Sequence, residues 1–444
     1  MHHSRKVDQD DIVRARNVLL ASGRRTPREE VDAYRVLAQV SPASYLPRLV
    51  KALQRLSYGS GSGRRHAACL ALREEAVAAA RAVDPAEPAR ADLLYEALDT
   101  CQRELYTLGR RAEGLAMRAE MLAIGRAQAE LSRDLAVKGL RDWAAGLSEE
   151  GRYAEAADAL TEWVAAILPD GPDRGTLAWS LLEWIAALGD AGRSGEALAA
   201  FETLVRMEAV EAANDRGPMA CHLYSLIGYA QMLDDCGRGE QTAAVRQEAL
   251  ALLRELAATG ERKSWSGYQA SYWAVLLSFS GADGERPTSG GPRPPSGATP
   301  RQWSPDARRR YFDSRTTLRE EVDALALRAA EDPDRHLAEL VRLHRVLTVR
   351  SAVYWEHRTH LFAERVRSLF DDGVGLARQL AQHHPADGTS ILAGILIDRS
   401  TFHTAAGEFG PALDDFSQAL RCLGEANSEK PSPPQRPHHR EDRQ

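Results

Sequence analysis

The sequence predicts an all-α chain made of consecutive helical hairpins, and three observations carry that prediction. The first is composition. Of 444 residues, 44% are hydrophobic but only 6% aromatic, with Ala, Leu and Val dominant. Such a mixture favours helices and works against a β-rich fold. The second is an internal repeat. The segment Arg28-Glu29-Glu30-Val31-Asp32-Ala33 recurs as Arg319-Glu320-Glu321-Val322-Asp323-Ala324, with weaker copies between and beyond. Equivalent positions fall at Val31, Ala76, Met121, Trp163, Leu204, Ala249, Val322, Gly373 and Ala419. Seven of the eight steps are 41 to 51 residues, and the remaining one is 73. A period of that length marks an array of supersecondary units.

The third observation is punctuation, which turns each repeat into two helices. A glycine precedes the repeated segment in five units, at Gly109, Gly151, Gly192, Gly237 and Gly407. Glycine there can take the positive φ that ends a helix. A proline follows in five, at Pro42, Pro85, Pro169, Pro333 and Pro385, which separates one unit from the next. Between these marks apolar residues recur at helical spacing, as in Leu94, Leu98, Cys101 and Leu105. Eight or nine hairpins over residues 10–424 result. Residues 281–303, rich in Gly, Pro and Ser, account for the long step. They read as a flexible insertion between repeats 10–280 and 304–424, dispensable for folding. Residues 1–9 and 425–444 read as disordered ends.

These units resemble the tetratricopeptide repeat. The second helices carry the similarity: Gly407-x-Phe409-x-x-Ala412-x-x-x-Phe416-x-x-Ala419, Gly151-x-Tyr153-x-x-Ala156-x-x-x-Leu160, and Gly192 with Ala197 and Phe201. The period exceeds that family's 34 residues and looks more like the long kinesin-light-chain-like variety, also common in bacterial signalling proteins. The resemblance implies a right-handed superhelical solenoid with a protein- or peptide-binding concave face. It places the first helix of each repeat on that face. Arg103, Lys138 and Arg141 then stand near its N-terminal half, followed by Trp179, Glu183, Tyr224, Gln231, Asp234 and Asp235. Trp179 and Tyr224 would be aromatic anchors on a surface that grades from basic to acidic. Trp355 would point the same way, whereas Trp143, Trp163 and Trp184 would be core.

Chemistry is sparse. Gly59-Ser60-Gly61-Ser62-Gly63 lacks the lysine of a phosphate-binding loop and any preceding strand. The late histidines His336, His344, His357, His360, His383 and His384 do not form HExxH, and His357 with His360 is a loose i, i+3 pair. Arg308-Arg309-Arg310 reads as a solvated charged face. The five cysteines are widely spaced, with neither a disulfide framework nor a zinc ribbon suggested. Net charge is −6, so nucleic acid is not an expected partner. Five lysines against 52 arginines, with the Ala excess, suggest a high-GC bacterial source. Met1 to Asp11 is polar without an apolar signal core, and no apolar run is long enough to span a bilayer. The expectation is a cytoplasmic, non-catalytic scaffold or regulator that needs no cofactor and binds another protein or a peptide. Two alternatives are a metal-dependent enzyme using the late His/Glu cluster and a helical small-molecule sensor.

Overall fold

The computed structural model describes residues 7–21, 23, 25–59, 66–132, 136–168, 174–263, 266–281, 294–355 and 362–424. Among them are eighteen helices and no strand. They run α1 (Gln9–Leu20), α2 (Pro27–Val40), α3 (Pro42–Gly59), α4 (His66–Arg81), α5 (Arg90–Thr107), α6 (Arg111–Ser132), α7 (Leu140–Glu149), α8 (Tyr153–Ile167) and α9 (Arg174–Asp190). Then come α10 (Ser194–Ala213), α11 (Met219–Asp235), α12 (Gly239–Thr259), α13 (Ser266–Gly281), α14 (Pro305–Glu331), α15 (Pro333–Trp355), α16 (Phe362–His383), α17 (Pro385–Ala405) and α18 (Phe409–Cys422). The nine repeat positions fall on the nine even-numbered helices. Eight are buried and Trp163 is half-buried.

The hairpin turns are made as their sequence requires. Gly109, Gly151, Gly192, Gly237 and Gly407 all have φ between 70° and 77°. At each, the next N–H reaches back five residues, as Arg110 does to the Leu105 carbonyl (2.8 Å) and Arg193 to that of Leu188 (2.8 Å). This closes the preceding helix with a left-handed cap. The following helix opens on an Arg–Glu pair at Arg110–Glu113, Arg152–Glu155 and Arg193–Glu196. Pro42, Pro333 and Pro385 stand at the first position of α3, α15 and α17. There the missing N–H costs nothing. Pro169 lies outside the described residues. The first helix starts at Gln9 on a capping box from Asp8, so order begins two residues earlier than the expected disordered stretch allows.

The helices form two compact units, each discontinuous in sequence. Unit 1 is Met1–Leu204 with Glu285–Thr317, and unit 2 is Val205–Gly284 with Leu318–Gln444. In unit 1 successive helices pack in order from α1 to α9. One core joins α2 to α6 through Val31, Leu53, Ala76, Leu98 and Met121, all essentially inaccessible. Unit 2 adds contacts between elements far apart in sequence. Here α13 packs on α11, α15 and α17, and α18 packs on α12. Ala412 and Phe416 of α18 share a core with Leu250 and Leu253 of α12. Trp273 lies against Phe370 and Phe402 and donates its ring N–H to Thr401 (2.9 Å).

Candidate functional site

The structure overturns one expectation outright. Residues 294–303, the second half of the supposed floppy insertion, pack on unit 1; residues 282–293 lie outside the described residues. The segment and the start of α14 together cross three hairpins against the direction of the chain. Near α9, a Cβ built on Gly297 would stand 2.3 Å from the Leu182 carbonyl oxygen, 2.7 Å from Glu183 Cα and 2.8 Å from Ala186 Cβ. Only glycine fits there. Gln302 accepts from the Thr299 N–H (2.9 Å) and donates to Glu183. Next, the Ser304 N–H donates to Glu149 Oε1 of α7 (2.7 Å). Asp306 then meets Arg111 of α6 at 3.1 Å, and Arg309 donates to the Thr107 carbonyl at the end of α5 (3.3 Å). Trp303 is 6% exposed and donates to the carbonyls of Pro295 (3.1 Å) and Ala298 (3.0 Å). Its ring stands edge-on to Tyr311, 5.1 Å between centroids.

The receiving side chains are charged groups held from water. Glu149 is 1% exposed and bonds to Arg111; Glu183 is 9% exposed and bonds to Arg141, Nε to Oε2 at 2.9 Å. A buried carboxylate is stable only while cations and donors surround it. The Ser304 N–H and the Gln302 amide complete those sets. Between α5 and α6 the polar groups are buried as well. Arg118 lies over the Tyr106 ring at 4.6 Å and donates to the Asp142 carbonyl (2.9 Å). Burial pushes the Tyr106 phenol up to about 12 and raises the Asp142 carboxyl above its usual range.

The residues singled out from sequence divide between the units. Arg103 pairs with Asp99 within α5, and Lys138 stands 4.0 Å over the Tyr95 ring. Arg141 and Glu183 pair with each other, and Trp179 is half-buried on α9. These five belong to unit 1. In unit 2, Gln231 donates to Asp235 (2.9 Å), and Asp234 pairs with Arg246 at 3.0 Å. Tyr224 is a correction. It is 2% exposed, because α11 is covered by α12, α13 and α17, so its ring offers no anchor to a partner. Trp355 is half-buried with Arg365 over its ring, 5.5 Å away. Of the presumed core tryptophans, Trp163 and Trp184 tie neighbouring helices by ring N–H bonds to Ser180 (3.0 Å) and Thr161 (2.9 Å).

Unit 2 holds other buried polar groups. Burial alone holds the Glu208 carboxyl up to about 7 and pushes His222 down to about 4. The five cysteines are free. Among the described residues, no group of three His, Cys, Asp or Glu is placed to hold a metal ion, and His357 and His360 lie outside them. No helix among them is long and apolar enough to cross a membrane.

No protein-family model and no curated protein matches the chain. Among solved structures it is similar to the crystal structure of the P58(IPK) TPR domain. That match covers 94% of this chain and 96% of the other at 10% identity, with a TM-score of 0.20. With so low a score, the hairpin order stands on the turns and packing described above. The site itself had one sequence signal that composition obscured. Trp303 and the apolar Ala298 sit inside a Gly/Pro/Ser stretch, and a lone tryptophan there has to be covered by something.

Proposed function

We infer that this chain is a non-catalytic scaffold or regulator that binds another protein or peptide through the first-helix face of unit 1. One observation carries the reading: that face already holds a ten-residue non-helical segment. Glu183 holds it through Gln302, and two further hairpins take the residues that follow, Glu149 the Ser304 N–H and Arg111 the Asp306 carboxylate at the start of α14. A surface that satisfies the backbone and side chains of a non-helical segment has the parts needed to take one from a partner. Arg103, Lys138 and Trp179 extend the face beyond the segment and supply cationic and aromatic contact groups. In unit 2 the polar Gln231 with the acidic Asp234 and Asp235 would add a second contact region. The test is partner capture from native extract by cross-linking, repeated with variants. Trp179→Ala and Lys138→Glu should each weaken capture at least about tenfold, roughly 1.4 kcal/mol, with helical circular dichroism unchanged. Asp234→Arg tests unit 2 in the same way. Capture unaltered by all three variants would exclude these surfaces.

A further inference from the structure

We propose that residues 294–306 are a built-in occupant of the α7–α9 face, and that the partner replacing them is a peptide that folds into two successive turns leading into a helix and presents a small residue, then a hydrogen-bond donor, then a carboxylate. The proposal rests on the reading above and specifies its partner.

The fit is specific at each of those three positions. Gly297 lies directly on the backbone of α9, where two of the three nearest atoms to a new Cβ are main-chain atoms. They cannot rotate aside, so any larger residue lifts the segment. Five residues on, the Gln302 amide donates to Glu183; nine residues on, the Asp306 carboxylate meets Arg111. The Ser304 N–H to Glu149 lies between them. The chain reaches α9, α7 and α6 through turns at 295–298 and 299–302 and then the first turn of α14.

The face is also ill suited to being empty. Glu149 and Glu183 are buried carboxylates, and uncovering them without replacement donors removes bonds on which their burial depends. Displacement is therefore an exchange, and the incoming segment must bring equivalent donors. A tethered occupant competes strongly even when its own contact is weak. Effective concentrations of tethered segments reach about 1 mM, so an occupant with an intermolecular Kd of about 100 μM suppresses a rival roughly tenfold.

The experiment uses the full chain and a fluorescein-labelled peptide with the sequence of residues 294–308. Two variants loosen the internal copy: Gly297→Leu by collision with α9, and Trp303→Ala by loss of the fold of the segment. Amide hydrogen exchange over residues 294–304 reads its release. The labelled peptide is expected to bind either loosened variant at least about tenfold more tightly than the wild type, by fluorescence anisotropy. A peptide carrying Gly297→Leu should not bind, and one carrying Asp306→Asn should bind more weakly. Equal binding to wild type and variants would overturn the proposal while leaving the face a binding surface. Release of the segment with no peptide binding would overturn it too, and the Trp179→Ala capture experiment then judges the broader reading separately. Should exchange over 294–304 stay unchanged in both variants, the segment is a fixed wall of unit 1 and the proposal falls.

Discussion

Glu208 carries a carboxyl that α10 buries to 4% exposure, in a unit where Cys221 and Tyr272 feel its charge. Its pKa is held up at about 7 against an ordinary 4.5, because ionisation there means losing water. The protonated folded form is the stable one. Stability is therefore full below about pH 4.5, falls as the unfolded chain ionises, and is lost as pH rises through 7. Glu208→Gln keeps the shape and removes the charge. We expect it to stabilise unit 2 by about 3 kcal/mol at pH 8, with wild type and variant converging near pH 4.5; urea midpoints at the two pH values measure this. A constant difference would mean the carboxyl is ionised in the folded state. The small repeat residues make a second residue-scale prediction. Ala156 and Ala412 have no accessible surface, so leucine at either should cost roughly 1–3 kcal/mol by overpacking. Neutral substitutions at both would show that the helices do not approach closely there. The sequence placed these alanines correctly but misplaced Tyr224. Helical spacing told which residues share a face of α11, yet not that a second layer covers the other face. The run from Met219 to Leu226, buried at every position, carried that information, since a helix apolar all round is a buried one.

Among the elements, turns were the most legible and the insertion the least. A glycine in a tight helix stop answers to local backbone energetics, so Gly109 or Gly407 could be assigned without knowing what surrounds it. Residues 294–303 answer to something else. A Gly/Pro/Ser-rich stretch cannot build a core of its own, and that is all its composition says. It can still dock on a core built by others, as Pro294, Ala298 and Trp303 do in unit 1. The consequence reverses the expectation of a dispensable loop. Replacing 294–303 by a short Gly/Ser turn should lower the midpoint of unit 1 by several degrees. In units of this size about 1 kcal/mol corresponds to 2–4 °C, and losing the buried Trp303 ring together with the Gln302 bond to Glu183 exceeds that. An unchanged midpoint in differential scanning calorimetry would return the segment to the status of a spacer.

At the scale of the whole molecule, periodicity predicted an array in which each hairpin touches only its neighbours. Unit 1 follows that order from α1 to α9, and unit 2 adds the packing of α18 on α12. No local pattern could announce that pairing. Ala412 and Leu253 look like ordinary second-helix residues wherever they stand, and only the closed contact tells them apart. Two of the three boundaries also escape sequence reading, because they fall within α10 and α14 rather than in linkers. Two compact units with separate cores lead to a last prediction. Thermal or urea unfolding should resolve two transitions, each assignable by a variant whose effect is confined to one unit. Trp303→Ala should cost about 3 kcal/mol in the transition of unit 1 and leave the other in place. Glu208→Gln at pH 8 should raise only the transition of unit 2. The double variant should combine the two shifts within about 0.5 kcal/mol, as independent sites do. If each substitution instead moves a single common transition, the helices unfold as one cooperative body, and the division into units describes packing alone.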